Sequence, residues 1–201
     1  PIPIGKKLLV LPAWIEPEDD VRVPVKIDPS MAFGTGTHPS TQLCLELIET
    51  YTLAGKPVID VGCGSGILSI AALKLGASKA ICVDIDAAAI KATHENGQRN
   101  EVDQWIEAGQ GSIEEIKTGQ FTVRQAPLVL ANILAPVLIR LFRDGLADLV
   151  SAAGVIILAG ILAEQAESVR AAAETYGLEF VEMRQIEDWV ALVMKKEISP
   201  A

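Results

Sequence analysis

Five times along the chain, a short run of apolar residues gives way to a stretch whose apolar positions recur every three to four residues. The runs fall at 57–61, 79–83, 105–108, 128–131 and 155–158, and the helical stretches at 66–75, 87–99, 113–117, 135–149 and 163–176. Two further runs, 178–185 and 189–194, follow with no helical stretch between them. They read as an antiparallel pair turning at Glu187-Asp188. Repeated strand–helix alternation predicts an α/β fold: a doubly wound, seven-stranded sheet with right-handed crossovers, its last strand antiparallel. Ahead of it, 41–51 carries Leu43, Cys44, Leu47 and Ile48 on one helical face, with Pro39 suited to the first turn. Residues 1–27 differ. Pro12, Pro17 and Pro24 exclude a long helix, and the runs 8–11 and 21–27 predict two short strands, as an edge hairpin or the end of a linker.

The first run leads into the stretch with the strongest chemical signal. Residues 58–66 read V-I-D-V-G-C-G-S-G, which is strand, tight glycine turn and helix start. Glycine lets backbone approach a nucleotide-like ligand, and the helix that follows presents free N–H groups. The dinucleotide fingerprint G-x-G-x-x-G would place its third glycine at position 67, which is Ile67. The spacing here, with Asp60 two residues before Gly62 and then Gly64 and Gly66, favours S-adenosylmethionine, which has no pyrophosphate needing the longer turn. The second run ends in Asp84-Ile85-Asp86. A carboxylate at that strand tip accepts hydrogen bonds from a ribose diol. We expect Asp84 in that role, Ile85 turned inward and Asp86 capping the next helix.

Two other stretches carry candidate chemistry. Residues 28–41, D-P-S-M-A-F-G-T-G-T-H-P-S-T, read as a loop entering a helix, with Gly34 and Gly36 able to hinge it over a ligand. By composition alone it is an ordinary surface loop. At the end of the fourth run comes Leu130-Ala131-Asn132-Ile133-Leu134. The Asn132 amide oxygen could accept from a substrate amine while leaving the nitrogen lone pair free, and Asn is also a favoured helix cap. Doubly wound sheets bind ligands beyond the carboxyl ends of their strands. That gathers the glycine turn, Asp84, residues 108–112 and Asn132 around one crevice.

Composition narrows the alternatives. With 201 residues, the chain suits one such domain and a short extra segment. A net charge of −9 argues against general affinity for nucleic acid. Cys44, Cys63 and Cys82 form no C-x-x-C and histidines are few, which argues against zinc and for reduced thiols in a cytoplasmic protein. No apolar run has membrane-spanning length free of glycine and charge. A monomer is expected, and the opening Pro1-Ile2-Pro3, without Met, suggests a chain that begins part-way through a longer protein.

Taken together and in order, F-G-T-G-T-H-P-S-T, D-V-G-C-G-S-G and A-N-I-L closely resemble the bacterial methyltransferases of ribosomal protein L11. The resemblance covers nearly all of residues 1–196. It implies transfer of methyl groups from S-adenosylmethionine to lysine side-chain and N-terminal amines of that large-subunit ribosomal protein. It also implies cofactor contacts at Thr41, Gly62, Asp84 and Asn132. Asp60, Gly64, Phe33 and Thr37 are further candidates from the same motifs, and Asn132 is the expected catalytic residue. His38 is the one plausible imidazole base, or else orders its loop. The family carries a small N-terminal domain that recognises the ribosomal protein. On that pattern, 1–27 is a linker with short strands following such a domain, and 28–201 is the methyltransferase domain. Alternatives are a class I methyltransferase acting on another protein or a small molecule, or a nicotinamide oxidoreductase, which Ile67 disfavours.

Overall fold

The computed structural model describes residues 1–18, 21–30 and 34–198. Three short strands, β1 (Ile2–Ile4), β2 (Leu8–Pro12) and β3 (Val23–Ile27), open the chain and form a sheet of their own. β1 and β2 are antiparallel, whereas β2 and β3 run parallel, Val10 opposite Val25. The two runs seen in the sequence are therefore no hairpin. Alternate residues of this small sheet, Leu8, Val10, Val25 and Ile27, are buried and join the same apolar cluster as the helix behind them.

That helix is α1 (Pro39–Tyr51). The large sheet follows: β4 (Val58–Val61), α2 (Ile67–Lys74), β5 (Ala80–Asp84), α3 (Ala87–Arg99), β6 (Ile106–Gln110), α4 (Ile113–Lys117), β7 (Ala126–Asn132), α5 (Ala135–Arg143), β8 (Val150–Leu162), α6 (Ala166–Thr175), β9 (Leu178–Ile186) and β10 (Trp189–Lys196). Its strands lie in the order β6-β5-β4-β7-β8-β10-β9. β4 to β8 are parallel, and β10 is antiparallel to both neighbours. This is the predicted doubly wound, seven-stranded α/β fold. Strand order reverses between β4 and β7, which defines the ligand crevice of such sheets.

Every residue of β4 is buried, as a central parallel strand covered on both faces requires. One apolar layer, with Leu43, Leu47, Ile70 and Leu130, lies under α1, α2 and the small sheet. The other, with Ile59, Leu138, Phe142 and Val169, lies under α4, α5 and α6. Each fully buried Leu or Ile contributes roughly 1.5–3 kcal/mol relative to exposure. Two elements depart from the sequence pattern. The stretch expected as one helix at 135–149 splits into α5 and a 3-10 turn at Leu146–Leu149. β8 runs beyond 155–158 at both ends: Val150 pairs with Ala126 across a register shift, and Ala159, Ile161 and Leu162 pair with Asn132, Val190 and Trp189.

Candidate active site

Register brings the site together. Val61 of β4 pairs with Val83 of β5 on one side and Ala131 of β7 on the other. The next residue on each strand is therefore Gly62, Asp84 and Asn132, and all three line one cavity of about 550 Å³. That volume falls within the usual range for small-molecule sites.

Gly62, Gly64 and Gly66 all have positive φ, at 74°, 54° and 83°. A Cβ on Gly62 would stand 2.9 Å from Ile133 Cδ1, and one on Gly66 would stand 3.0–3.1 Å from Thr93, backbone included. Any side chain at either position would meet both strain and crowding. The turn is then tied down. The Gly62 and Cys63 N–H groups both donate to Val83 O, at 2.8 and 3.0 Å. The Gly64 N–H donates to Asp84 Oδ2 (3.0 Å), the Asp86 N–H to Asp84 Oδ1 (3.0 Å), and Thr93 Oγ1 to Gly64 O (3.0 Å). A carboxylate accepts about four hydrogen bonds, so Asp84 keeps capacity for a ligand.

Asp60 does not line the cavity. It is buried beneath the turn, accepting from Ser69 Oγ at 2.7 Å, and Cys82 Sγ donates in turn to Ser69 Oγ. Burial pushes its carboxyl up from 3.8 to about 7, the Ser69 bond opposes the rise, and the Asp84 charge adds to it. Its place is that of a support, not a ligand contact. Ile85 reverses expectation: it is 78% exposed and stands on the cavity wall, because β5 ends at Asp84 and the chain has left the sheet. Asp86 caps α3 as expected, accepting from the Ala88 N–H at 2.9 Å.

Asn132 is half-buried at the cavity wall, and its Nδ2 donates to Thr41 Oγ1 at 3.4 Å. The cap position of α5 belongs to Leu134, with no side-chain cap bond, so Asn132 does not serve as that helix's cap. Among the described residues its Oδ1 has no hydrogen-bond partner, and an acceptor remains open at the cavity. Thr41 is buried on α1 and reaches the site only through Asn132. Thr37 is exposed, bonded to Thr35 Oγ1 at 3.0 Å, and does not line the cavity; Phe33 lies outside the described residues.

His38 lines the cavity and caps α1. Its Nδ1 accepts from the Ser40 N–H at 3.1 Å and lies 2.7 Å from Ser40 Oγ. A backbone N–H can only donate, so neutral His38 carries its hydrogen on Nε2 and spends its lone pair on the cap. The imidazole orders the loop and is not placed to act as a base. Its ring meets Trp189 edge-on at 4.6 Å. Trp189 was not singled out from sequence, although an aromatic residue just after the Glu187-Asp188 turn, at the mouth of a predicted sheet, was a readable cue. Among the described residues no group of three or more His, Cys, Asp or Glu could hold a metal ion. No helix among them is long and apolar enough to cross a membrane.

Comparisons with known proteins identify the family. Residues 1–197 match the model of the ribosomal protein L11 methyltransferase family. A ribosomal protein L11 methyltransferase of Escherichia coli is 44% identical over 201 residues, covering 98% of this chain and 64% of that protein. One from an Exiguobacterium species is 40% identical over 200 residues, covering 98% of this chain and 61% of the relative. The chain thus spans under two thirds of the length of these relatives. The crystal structure of a ribosomal protein L11 methylase from Lactobacillus delbrueckii subsp. bulgaricus superimposes with a TM-score of 0.85 at 28% identity, covering 98% of both chains. A Bacillus subtilis tRNA methyltransferase shares the fold alone, with a TM-score of 0.60 at 19% identity, over 77% of this chain and 65% of that one. By its sequence over almost its whole length, the chain belongs to the ribosomal protein L11 methyltransferase family.

Proposed function

We propose that this chain is the catalytic part of an S-adenosylmethionine-dependent protein N-methyltransferase whose acceptors are lysine side-chain and N-terminal amines of ribosomal protein L11, in the cytoplasm. The observation that carries the reading is the open Asn132 Oδ1 on the same cavity wall sequence as Gly62 and Asp84.

The residues present fit the cofactor. Gly62 offers a wall without a side chain, with Gly64 behind it bonded to Asp84 and Thr93 and not lining the cavity. Asp84 offers spare acceptor capacity for a ribose diol, and exposed Ile85 offers an apolar face for a flat ring. Asp60 and Thr41 act behind them, the first under the turn and the second through Asn132. When bound, S-adenosylmethionine supplies an electrophilic methyl group. The protein's task is to hold a neutral amine in line, so positioning dominates. Asn132 Oδ1 would accept an N–H of that amine and leave its lone pair free. A lysine amine has a reference pKa near ~10.4, so a proton must leave first. With the His38 lone pair committed to its cap, water is the acceptor we assign.

Calorimetry tests the cofactor half: the chain should bind S-adenosylmethionine, and Asp84→Ala should weaken it by about 1.5–3 kcal/mol, the range for hydrogen bonds to charged groups. Heat with NAD and none with S-adenosylmethionine would sink the reading. For the substrate half, methyl transfer to purified L11 and to a short lysine peptide should fall in kcat on Asn132→Ala, with cofactor affinity little changed. An unchanged kcat would remove Asn132 from the reaction.

A further inference from the structure

The glycine turn is also held from behind, by Asn96 of α3, which sits one helical turn before Asn100 at that helix's C-cap. Both are buried. Asn100 Oδ1 accepts the Lys26 N–H at 2.8 Å, and its Nδ2 donates to Lys26 O at 2.7 Å and to Asn96 O at 2.8 Å. It thereby pairs with the backbone of β3 as a neighbouring strand would. Asn96 does something different. Its Oδ1 accepts the Asp28 N–H at 3.2 Å, and its Nδ2 donates to Ser65 O, inside the glycine turn, at 2.9 Å. Ser65, itself buried, donates from Oγ to Gly34 O at 2.6 Å. A chain of bonds thus runs Asp28 to Asn96 to Ser65 to Gly34. It ties both described ends of the 28–38 loop to the turn that walls the cavity.

We propose that Asn96 is a positioning residue for cofactor binding, setting the glycine turn and the loop before α1 in one register. This rests on the assignment of the cavity to S-adenosylmethionine. The physical case is that each partner is a backbone group with a strict direction, Ser65 O buried and the Asp28 N–H part-buried. Ser65 O needs a donor and the Asp28 N–H needs an acceptor, and a carboxamide is the side chain that supplies one of each. Leaving Ser65 O unmet in the interior costs more than the bond itself gains, and the part-buried Asp28 N–H adds a smaller cost. Asn100 makes the natural control, because it too is buried and its side chain makes three backbone bonds to the two of Asn96, but it touches neither the turn nor the loop. Thr93, which holds Gly64 O, is the neighbouring support of the turn alone.

The test compares Asn96→Ala and Asn100→Ala by thermal unfolding and by calorimetry with S-adenosylmethionine. Both variants should lose thermal stability. Asn96→Ala should raise the cofactor Kd about tenfold, and Asn100→Ala should leave it within about twofold, since only the first frees the turn. Asn96→Asp supplies a readout that a merely structural role would not move. Its carboxylate cannot donate to Ser65 O, whereas the protonated acid can. Relative to the wild-type profile, its cofactor affinity should therefore recover as pH falls. Arg99, 3.2 Å from Asn96 Oδ1 and ion-paired to Asp28 at 3.6 Å, is the charged neighbour that would oppose that protonation. Equal changes in Kd for the two alanine variants, or no change for either, would overturn the proposal, as would an Asn96→Asp profile parallel to wild type. Should Asn96→Ala fail to fold, amide exchange on the wild-type protein decides. The Asp28 amide should gain protection together with those of residues 64–66 when S-adenosylmethionine is added, and protection of the turn alone would refute the link. A wild-type chain that binds no S-adenosylmethionine would instead refute the cofactor assignment, a distinct outcome.

Discussion

The two sheets of this molecule are held by different means. In the large sheet, strands such as β4 and β7 are mostly apolar and buried on both faces, and neighbouring strands satisfy their backbone groups. In the small sheet, side chains do much of that work. Glu49 of α1 accepts from the N–H groups of Lys6, Lys7 and Leu8 at 2.8–3.1 Å, and the Arg22 guanidinium donates to the carbonyls of Ile4, Gly5 and Leu8. Asn100 covers the open edge of β3. The lesson is that burial makes the large sheet self-sufficient, while the small one depends on three polar side chains, two of them, Glu49 and Asn100, from other parts of the chain.

The largest effect should come from the apolar layer of the large sheet. Phe142 is fully buried against it and stacks near Tyr176, with ring centroids 6.3 Å apart. Phe142→Ala should cost about 3–5 kcal/mol in urea unfolding. A loss under about 1 kcal/mol would mean that this layer is not the main source of stability. Next comes the buried carboxylate of β4. Folded Asp60 holds its proton to about 7, unfolded aspartate to 3.8, so between those values the folded chain binds more protons than the unfolded. Stability from this group is complete below the lower value and lost as pH rises through about 7. Asp60→Asn should remove that loss, worth on the order of 4 kcal/mol. Melting curves of the two proteins at pH 4.5, 5.5, 6.5 and 7.5 should diverge steadily, and parallel curves would contradict it.

For the small sheet, Glu49→Ala should cost about 1–2 kcal/mol, because a partly buried N–H is left without its acceptor. The loss should be local: amide exchange should quicken at residues 6–8 and stay unchanged in β4 and β7. Uniform quickening would erase the contrast between the sheets. The smallest effect belongs to Asp86→Ala, which removes the cap of α3 and should lower stability by about 1 kcal/mol while changing cofactor affinity less than Asp84→Ala does. Equal effects on affinity would show that the ribose-binding carboxylate had been misassigned.

The same contrast explains what could be read in the sequence. Each parallel strand announces itself as a local apolar run, so six of the seven large-sheet strands and the ends bearing Gly62, Asp84 and Asn132 were visible in outline, with β8 found only in part. The parallel pairing of β2 with β3 was not, nor the Asn100 side chain, more than seventy residues away, that bonds the backbone of β3 at Lys26. Nor was Ile85, whose exposure follows from where β5 stops and not from its own polarity. Asn96 and Asn100 left a faint trace, as two carboxamides four apart on a helix face that should be apolar. His38 was legible as chemistry but not as geometry: only the Ser40 N–H shows which of its two roles it plays.

Strand order in the large sheet carries a consequence for how the chain is made. β10 follows β9 in sequence yet lies between β8 and β9, bonded to each. During synthesis, β9 emerges with no partner to pair with, and β8 waits with an open edge. The sheet can close only when residues 189–196 have cleared the ribosome and slid between the two. Completion of this sheet therefore waits on its last strand, and a nascent chain halted after β9 would present two unpaired edges to its surroundings.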